Sequence, residues 1–175
     1  MRSKYKIYEN DNIYFLTSTI VEFIPVFVDS TICNIIIESL SFYRKNKNMR
    51  IYAYVIMDNH FHLIAQSGSL SNDMRNIKRY TARKIINYFE MKEKRWVLNQ
   101  FSYWKKHHKR ESNYQIWQEG FHPQEISDEE MLIQKTNYIH NNPVKRGLVS
   151  KAEDWIYSSA RNYKGFNGVM DIDVF

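Results

Sequence analysis

At 175 residues the chain is long enough to bury a sizeable core and short enough to be one unit, and 43% hydrophobic content with 15% aromatics excludes a largely disordered chain. No apolar run nears the ~20 residues that a membrane span needs, and the opening MRSKYKIYEN lacks the apolar stretch of a secretory signal, so a cytoplasmic protein with no membrane partner is expected. The net charge of +6 is concentrated: residues 74–110 hold twelve Lys/Arg against Glu90 and Glu93, a local balance of +10, which suits either a polyanionic partner or a solvated helix face with a basic loop.

Asn12–Ile20 has the β-branched and aromatic content of a strand, and Ser30–Lys45 the length and apolar content of a helix. Within that helix, Cys33 has no second cysteine to pair with and stands among apolar neighbours, as a buried filler would. A second strand fits Ile51–Met57, Asp58-Asn59 supplies turn chemistry, and His60–Gln66 reads as a third strand completing a hairpin. From Leu70 to about Glu90, Met74, Ile77, Thr81, Ile85 and Tyr88 recur at helical spacing, while Arg75, Arg79 and Arg83 form a cationic row on another face.

Residues 91–113 mix Lys/Arg with Trp96, Phe101, Tyr103 and Trp104 without a clear period, which predicts a long loop or irregular basic insertion. A fourth strand is expected over Gln115–Phe121. Ser127-Asp128-Glu129-Glu130 reads as a capping box opening a helix to about Asn141, limited by Pro143 because proline disfavours helical geometry in the residue before it. The sum is an α+β fold, a ferredoxin-like antiparallel sheet of order β-α-β-β-α-β with an added C-terminal helix. We expect a single domain over residues 1–175, with a basic insertion at about 91–113 and a tail at about 144–175.

Chemistry concentrates in two places. His60-Phe61-His62 sets two imidazoles at i and i+2 of a strand, on one face and about 7 Å apart, where they can share an ion while Phe61 and Leu63 enter the core on the other side. Tyr138 and Asn142 are one helical turn apart, so a phenol and an amide can face one target. Packing and helix-ending roles compete with that reading, because Tyr is often a core residue and Asn before Pro is common at helix ends. His140 falls on roughly the opposite side of that helix, and His107, His108 and His122 are given no ligand role.

Four stretches, Tyr54–Ala65 (YVIMDNHFHLIA), Ile116–Phe121 (IWQEGF), Asn137–Val149 (NYIHNNPVKRGLV) and Asp154–Ala160 (DWIYSSA), resemble the single-tyrosine HUH transposases, specifically the REP-associated tyrosine transposases. The resemblance implies a metal-dependent DNA-nicking and rejoining enzyme in which His60 and His62 are metal ligands, Asn142 holds the third-ligand position and Tyr138 is the nucleophile. It further implies Mg²⁺ or Mn²⁺, a covalent 5′-phosphotyrosine intermediate, a single-stranded or hairpin DNA substrate and a prokaryotic cytoplasm. The REP-associated group leans toward a monomer with the tyrosine acting in cis, the wider transposases toward a homodimer with helix exchange.

Asp58 departs from the proline that family members often carry before the histidine strand, and residues 91–113 match no motif of the family. Arg75, Arg79 and Arg83 are candidates to track a DNA backbone, and Trp96, Tyr103 or Trp104 either stack on unpaired bases or pack internally. Lys135, one turn before Tyr138, is a candidate phosphate-binding lysine or an aid to the phenol's activation. Two other functions compete: a non-catalytic single-stranded nucleic-acid-binding protein, and a phosphoesterase using His60 or His62 directly, weakened by the lack of a third nearby histidine.

Overall fold

The computed structural model describes residues 7, 11–106, 108 and 112–175. Four strands form one antiparallel sheet: β1 (Tyr14–Thr19), β2 (Arg50–Ile56), β3 (His60–Gln66) and the short β4 (Gln124–Glu125), in the spatial order β2-β3-β1-β4. The helices are α1 (Ser30–Asn46), α2 (Leu70–Met91), α3 (Arg95–Tyr103), α4 (Glu129–Lys145) and the single turn α5 (Ala160–Tyr163). The α+β class and the β-α-β-β-α-β order with a further helix agree with the sequence reading.

Strand alternation divides the core in two. Tyr14, Leu16, Ile51, Tyr54, Phe61, Leu63 and Ala65 meet Ile36 and Leu40 of α1 and Met74, Ile77 and Ile85 of α2. Phe15, Tyr52, Val55 and Ile64 face the other way and meet Leu132 and Ile139 of α4. His60 and His62 alternate with Phe61 and Leu63, which directs them to the α4 side.

Two of the three long helices begin on an aspartate, whereas α2 starts after Ser69, which makes no side-chain cap. Asp29 caps α1 by accepting the Thr31 N–H at 2.8 Å, and Asp128 caps α4 by accepting the Met131 N–H at 2.8 Å. The expected capping box is thereby corrected: Ser127 donates to Asp128 at 2.6 Å, and Asp128 is the cap.

Three more expectations are overturned. Pro143 does not limit α4, which runs through it to Lys145 and stops where Gly147 takes a φ of +69°. The last carbonyls of the helix are satisfied, as Arg146 N–H donates to Asn142 O at 3.1 Å and Leu148 N–H to Pro143 O at 3.0 Å. Asn142 is consequently held in helical register with Tyr138.

Gln115–Phe121 is no regular strand. It runs along β1 through Val21 N–H to Ile116 O, Gln118 N–H to Thr19 O and Thr17 N–H to Phe121 O, all at 2.8–2.9 Å, with a single bridge between Ile20 and Trp117. Gly120 (φ +78°) and His122 (φ +43°) interrupt the ladder, and pairing resumes only at β4.

The segment 91–113 is not simply a loop, because α3 occupies its first half. Only Leu98 and Phe101 of α3 are buried, too few positions for a period to register, and exposed Trp96 (68%) and Tyr103 (76%) obscure it further. In α2 the cationic face holds, with Arg75, Arg79 and Arg83 exposed, while Phe89 takes the last core position and Tyr88 is half-buried, donating to Asp29 at 2.6 Å.

The chain after α4 covers the free edge of β2. Ile56 N–H donates to Tyr157 O at 2.9 Å, Ser159 N–H to Tyr54 O at 3.0 Å and Tyr54 N–H to Ser159 Oγ at 2.9 Å, so the strand's backbone groups are satisfied rather than left as a template for another chain. Further along, Asp173 N–H donates to Ile51 O at 2.7 Å and the Asp173 carboxylate accepts from Arg44 at 2.9 Å. Among the described residues no helix is long and apolar enough to cross a membrane.

Candidate active site

The histidine strand β3 is the second strand of the sheet, paired on one side with β2 and on the other with β1. His62 stands opposite Thr17 and His60 opposite Thr19 in the β1 register, so polar side chains of two strands meet on the face that α4 covers. The two imidazole centroids lie 4.8 Å apart with the rings at 73°. Each Nδ1 is engaged: His60 Nδ1 lies 2.7 Å from Asn59 Oδ1, and His62 Nδ1 lies 2.8 Å from Thr17 Oγ1.

Burial holds both rings neutral. His62, 5% exposed, is pushed down to about 3, first by desolvation and then by the charges of His60 and Lys135. His60 is lowered by desolvation, an effect that Asp58 opposes and Arg146 reinforces. A neutral imidazole is the form that can give a lone pair to a cation.

Helix α4 crosses this face and brings Tyr138 to the pair. The phenol ring lies 5.5 Å from the His62 ring and 5.9 Å from Phe15, which itself stacks on His62 at 5.2 Å. Tyr138 remains 43% exposed, so one side of the ring is anchored by aromatic contact and the other is open to a large substrate. Two lysines flank it: Lys135 Nζ sits 5.0 Å above Phe15 and Lys145 Nζ 5.6 Å above Tyr138. Asn142 follows one turn after Tyr138 and is half-buried.

Thus His60, His62, Tyr138, Asn142 and Lys135 share one face of the fold, whereas Arg75, Arg79 and Arg83 lie on α2, across the sheet. Arg75 and Arg79 line a cleft of about 540 Å³ against the segment 112–121, whose floor includes Trp117. The exposed aromatics of α3 do not pack internally; Tyr103 and Trp104 meet edge to face at 4.9 Å on the surface. His140 points away from Tyr138, toward Ser159 Oγ at 2.8 Å and the Tyr163 ring at 4.9 Å, as its helical position requires. His108 binds the Glu119 carboxylate at 2.6 Å, and His107 lies outside the described residues.

Sequence reasoning did not single out Thr17, Asn59, Phe15 or Lys145. Thr17 and Phe15 join the site only through the β1–β3 register, a pairing across 45 residues that no local pattern encodes. Lys145, at i+7 from Tyr138, was legible in principle once the helix was known to pass Pro143.

The donors suit a hard or borderline divalent cation only in part. Two neutral nitrogen ligands are available, and among the described residues no three side chains of His, Cys, Asp or Glu come together, so a third protein ligand would be an amide such as Asn142. Such a set leaves the ion's charge uncompensated by the protein and free to attract phosphate.

Comparison with known proteins identifies the family and the fold. A Haemophilus influenzae protein assigned to the REP-associated tyrosine transposases is 31% identical over 107 residues, 61% of this chain and 56% of the relative, so the chain spans about half the length of that curated relative. A solved REP-associated tyrosine transposase bound to a REP hairpin has the same fold, with a TM-score of 0.66 over 100% of this chain and 95% of that one, at 19% identity. The model of the family described as "Transposase IS200 like" matches residues 24–142, a span that holds the histidine strand, Tyr138 and Asn142, and the chain belongs to that family.

Proposed function

We propose that this protein nicks and rejoins single-stranded or hairpin DNA, as a transposase of the REP-associated type, with Tyr138 as the nucleophile. The observation that carries the reading is the approach of the Tyr138 ring to within 5.5 Å of His62, itself 4.8 Å from His60, all on one chain. The hairpin as substrate is supported by the solved relative of the same fold, which is bound to one.

In the proposed reaction the Tyr138 oxygen attacks the scissile phosphorus, the bond to the 3′ oxygen breaks, and that oxygen leaves as a 3′-hydroxyl after gaining a proton, while the phenol gives its proton up. The product is a 5′-phosphotyrosine that conserves one phosphoester for rejoining, so no external energy source is needed. His60, His62 and Asn142 would hold Mg²⁺ or Mn²⁺, which when bound neutralises phosphate charge. Lys135, over the neighbouring Phe15 ring, and Lys145, over the Tyr138 ring, hold the DNA backbone near the hydroxyl, and half-exposure of the Tyr138 ring leaves room for the strand.

The arginine row of α2 would take the hairpin's backbone away from the cleavage point, and the exposed Trp96, Tyr103 and Trp104 of the basic segment would stack on unpaired bases. Incubation of the protein with an end-labelled hairpin and Mn²⁺ tests the chemistry directly. A denaturation-resistant protein–DNA adduct is expected from the wild type and not from Tyr138→Phe. Hairpin binding without any adduct, across several metals and hairpins, would instead make the protein a binding module.

A further inference from the structure

The ring nitrogens of a histidine are not equivalent, and the group bonded to one decides whether the other can ligate a metal. In both histidines of this site the protein has taken Nδ1. Asn59 turns its side-chain oxygen to His60 at 2.7 Å, and that atom has lone pairs only; with the amide in this orientation the His60 Nδ1 carries the hydrogen and Nε2 keeps a free lone pair.

Thr17 offers His62 a hydroxyl at 2.8 Å, and a hydroxyl can take either role. If it donated, Nε2 of His62 would be protonated and useless to a cation. If it accepts, His62 matches His60. Two features fix the ring for that purpose: Thr17 is the direct cross-strand neighbour of His62, and Phe15 stacks on the imidazole at 5.2 Å with 26° between planes, restricting its rotation. The backbone of Asn59 is likewise tied down, since its main-chain carbonyl accepts the Ile20 N–H at 2.8 Å.

We propose that Thr17 and Asn59 are positioning residues that hold both imidazoles in the Nδ1–H form, so that both Nε2 atoms are ready for one divalent cation before DNA arrives. The inference rests on the proposed ligand role of His60 and His62. It assigns the β1 strand, which contributes no ligand, a part in metal affinity through a single hydroxyl.

Two measurements test it. Nitrogen-15 NMR of the imidazoles in the metal-free protein reads the tautomers, and titration with Mn²⁺ alone, followed by electron paramagnetic resonance, reads affinity without turnover. The wild type is expected to show Nδ1–H at both histidines. Thr17→Val, nearly isosteric and favourable in a strand, should convert His62 to the Nε2–H form and weaken Mn²⁺ binding about 10–100-fold. Thr17→Ser should restore both, and Asn59→Ala should act in the same way on His60. An Nε2–H tautomer at His62 in the wild type, or Mn²⁺ affinity in Thr17→Val within twofold of wild type, would overturn the proposal while the ligand pair stands. No Mn²⁺ binding by the wild type would refute the ligand reading itself, and the proposal with it.

Discussion

Arg146, just past the last turn of α4, grips Asp58 in the β2–β3 turn through two parallel N–H···O bonds of 3.0 Å each. This fork joins the C-terminal end of the tyrosine helix to Asp58, the residue two before His60. The pair is partly exposed, with side chains 43% and 28% accessible, so its worth to folding is small, about 0.5 kcal/mol after screening. Its worth to alignment is larger, because a nucleophile displaced by even ~1 Å can lose about a hundredfold in rate. Asp58→Ala and Arg146→Lys, which cannot form the fork, should therefore lower the rate of adduct formation by at least about tenfold while shifting the melting temperature by only a few degrees. Rates equal to wild type in both variants would show that α4 is aligned by its packing alone.

Tyr138 reaches His62 of its own chain, which predicts that the tyrosine acts in cis. Tyr138→Phe lacks the proposed nucleophile and His62→Ala a proposed ligand, and a mixture of the two should stay inactive if each tyrosine serves only its own histidines. Recovery of adduct in the mixture, scaling with protein concentration, would show helix exchange between two copies instead.

Much of this site could be read from the sequence because its chemistry sits in short, periodic patterns. His60 and His62 share a face by the two-residue repeat of a strand, and Tyr138 and Asn142 by the four-residue step of a helix. What escaped depended on contacts far apart in the chain. Thr17 becomes a partner of His62 through strand register, and Asp58 becomes an anchor through an arginine 88 positions away. The boundary errors were of another kind: at Pro143 the local rule was outweighed by the packing of α4 on the sheet, and at Gly120 the break that a positive-φ glycine makes inside an expected strand was passed over. In α3 the exposed aromatics, which break amphipathic periodicity, are the same residues that make the surface a candidate for binding bases.

Thr81 offers a test of how the irregular strap 115–121 is held. Its hydroxyl donates to Ile77 O at 2.8 Å and accepts the Trp117 indole N–H at 3.2 Å, while the Trp117 ring packs against Phe27 and Phe61. Thr81→Val keeps the shape and leaves a buried indole donor unpaired, at a cost of about 1–3 kcal/mol. Calorimetry should show a melting temperature lower by roughly 2–10 °C. An unchanged value would mean that water reaches the indole and the strap docks by ring packing.

Because Arg79 lies across the sheet from Tyr138, binding and chemistry are separable there. Arg79→Ala should weaken hairpin affinity and reduce the slope of log K against log salt by about 0.7–0.9, the loss of one phosphate contact. At saturating DNA the adduct rate should match wild type, since no reacting group has been touched. A full salt slope in the variant would return the arginine row to the status of a solvated helix face.

His140 makes stability depend on pH in a direction that burial dictates. Desolvation lowers this ring from 6.5 to about 4, so below pH 6.5 the unfolded chain takes up a proton that the native chain refuses. The contribution is complete above about pH 6.5 and is lost as pH falls toward 4, at about 1.4 kcal/mol per pH unit for this one group. The lowered His60 and His62 act in the same sense, whereas the lowered carboxylates of Asp29, Asp128 and Glu119 start from 3.8 to 4.5 and matter mainly below this window. Urea midpoints of the wild type should hold between pH 8 and about pH 6.5 and fall from there to pH 4.5. His140→Gln, which keeps a polar side chain facing Ser159, should unfold at a lower midpoint at pH 8 yet lose less on acidification, by close to one proton's worth of slope. Parallel curves for the two proteins would mean that the native His140 accepts its proton, which its burial against the Ser159 hydroxyl and the Tyr163 ring should prevent.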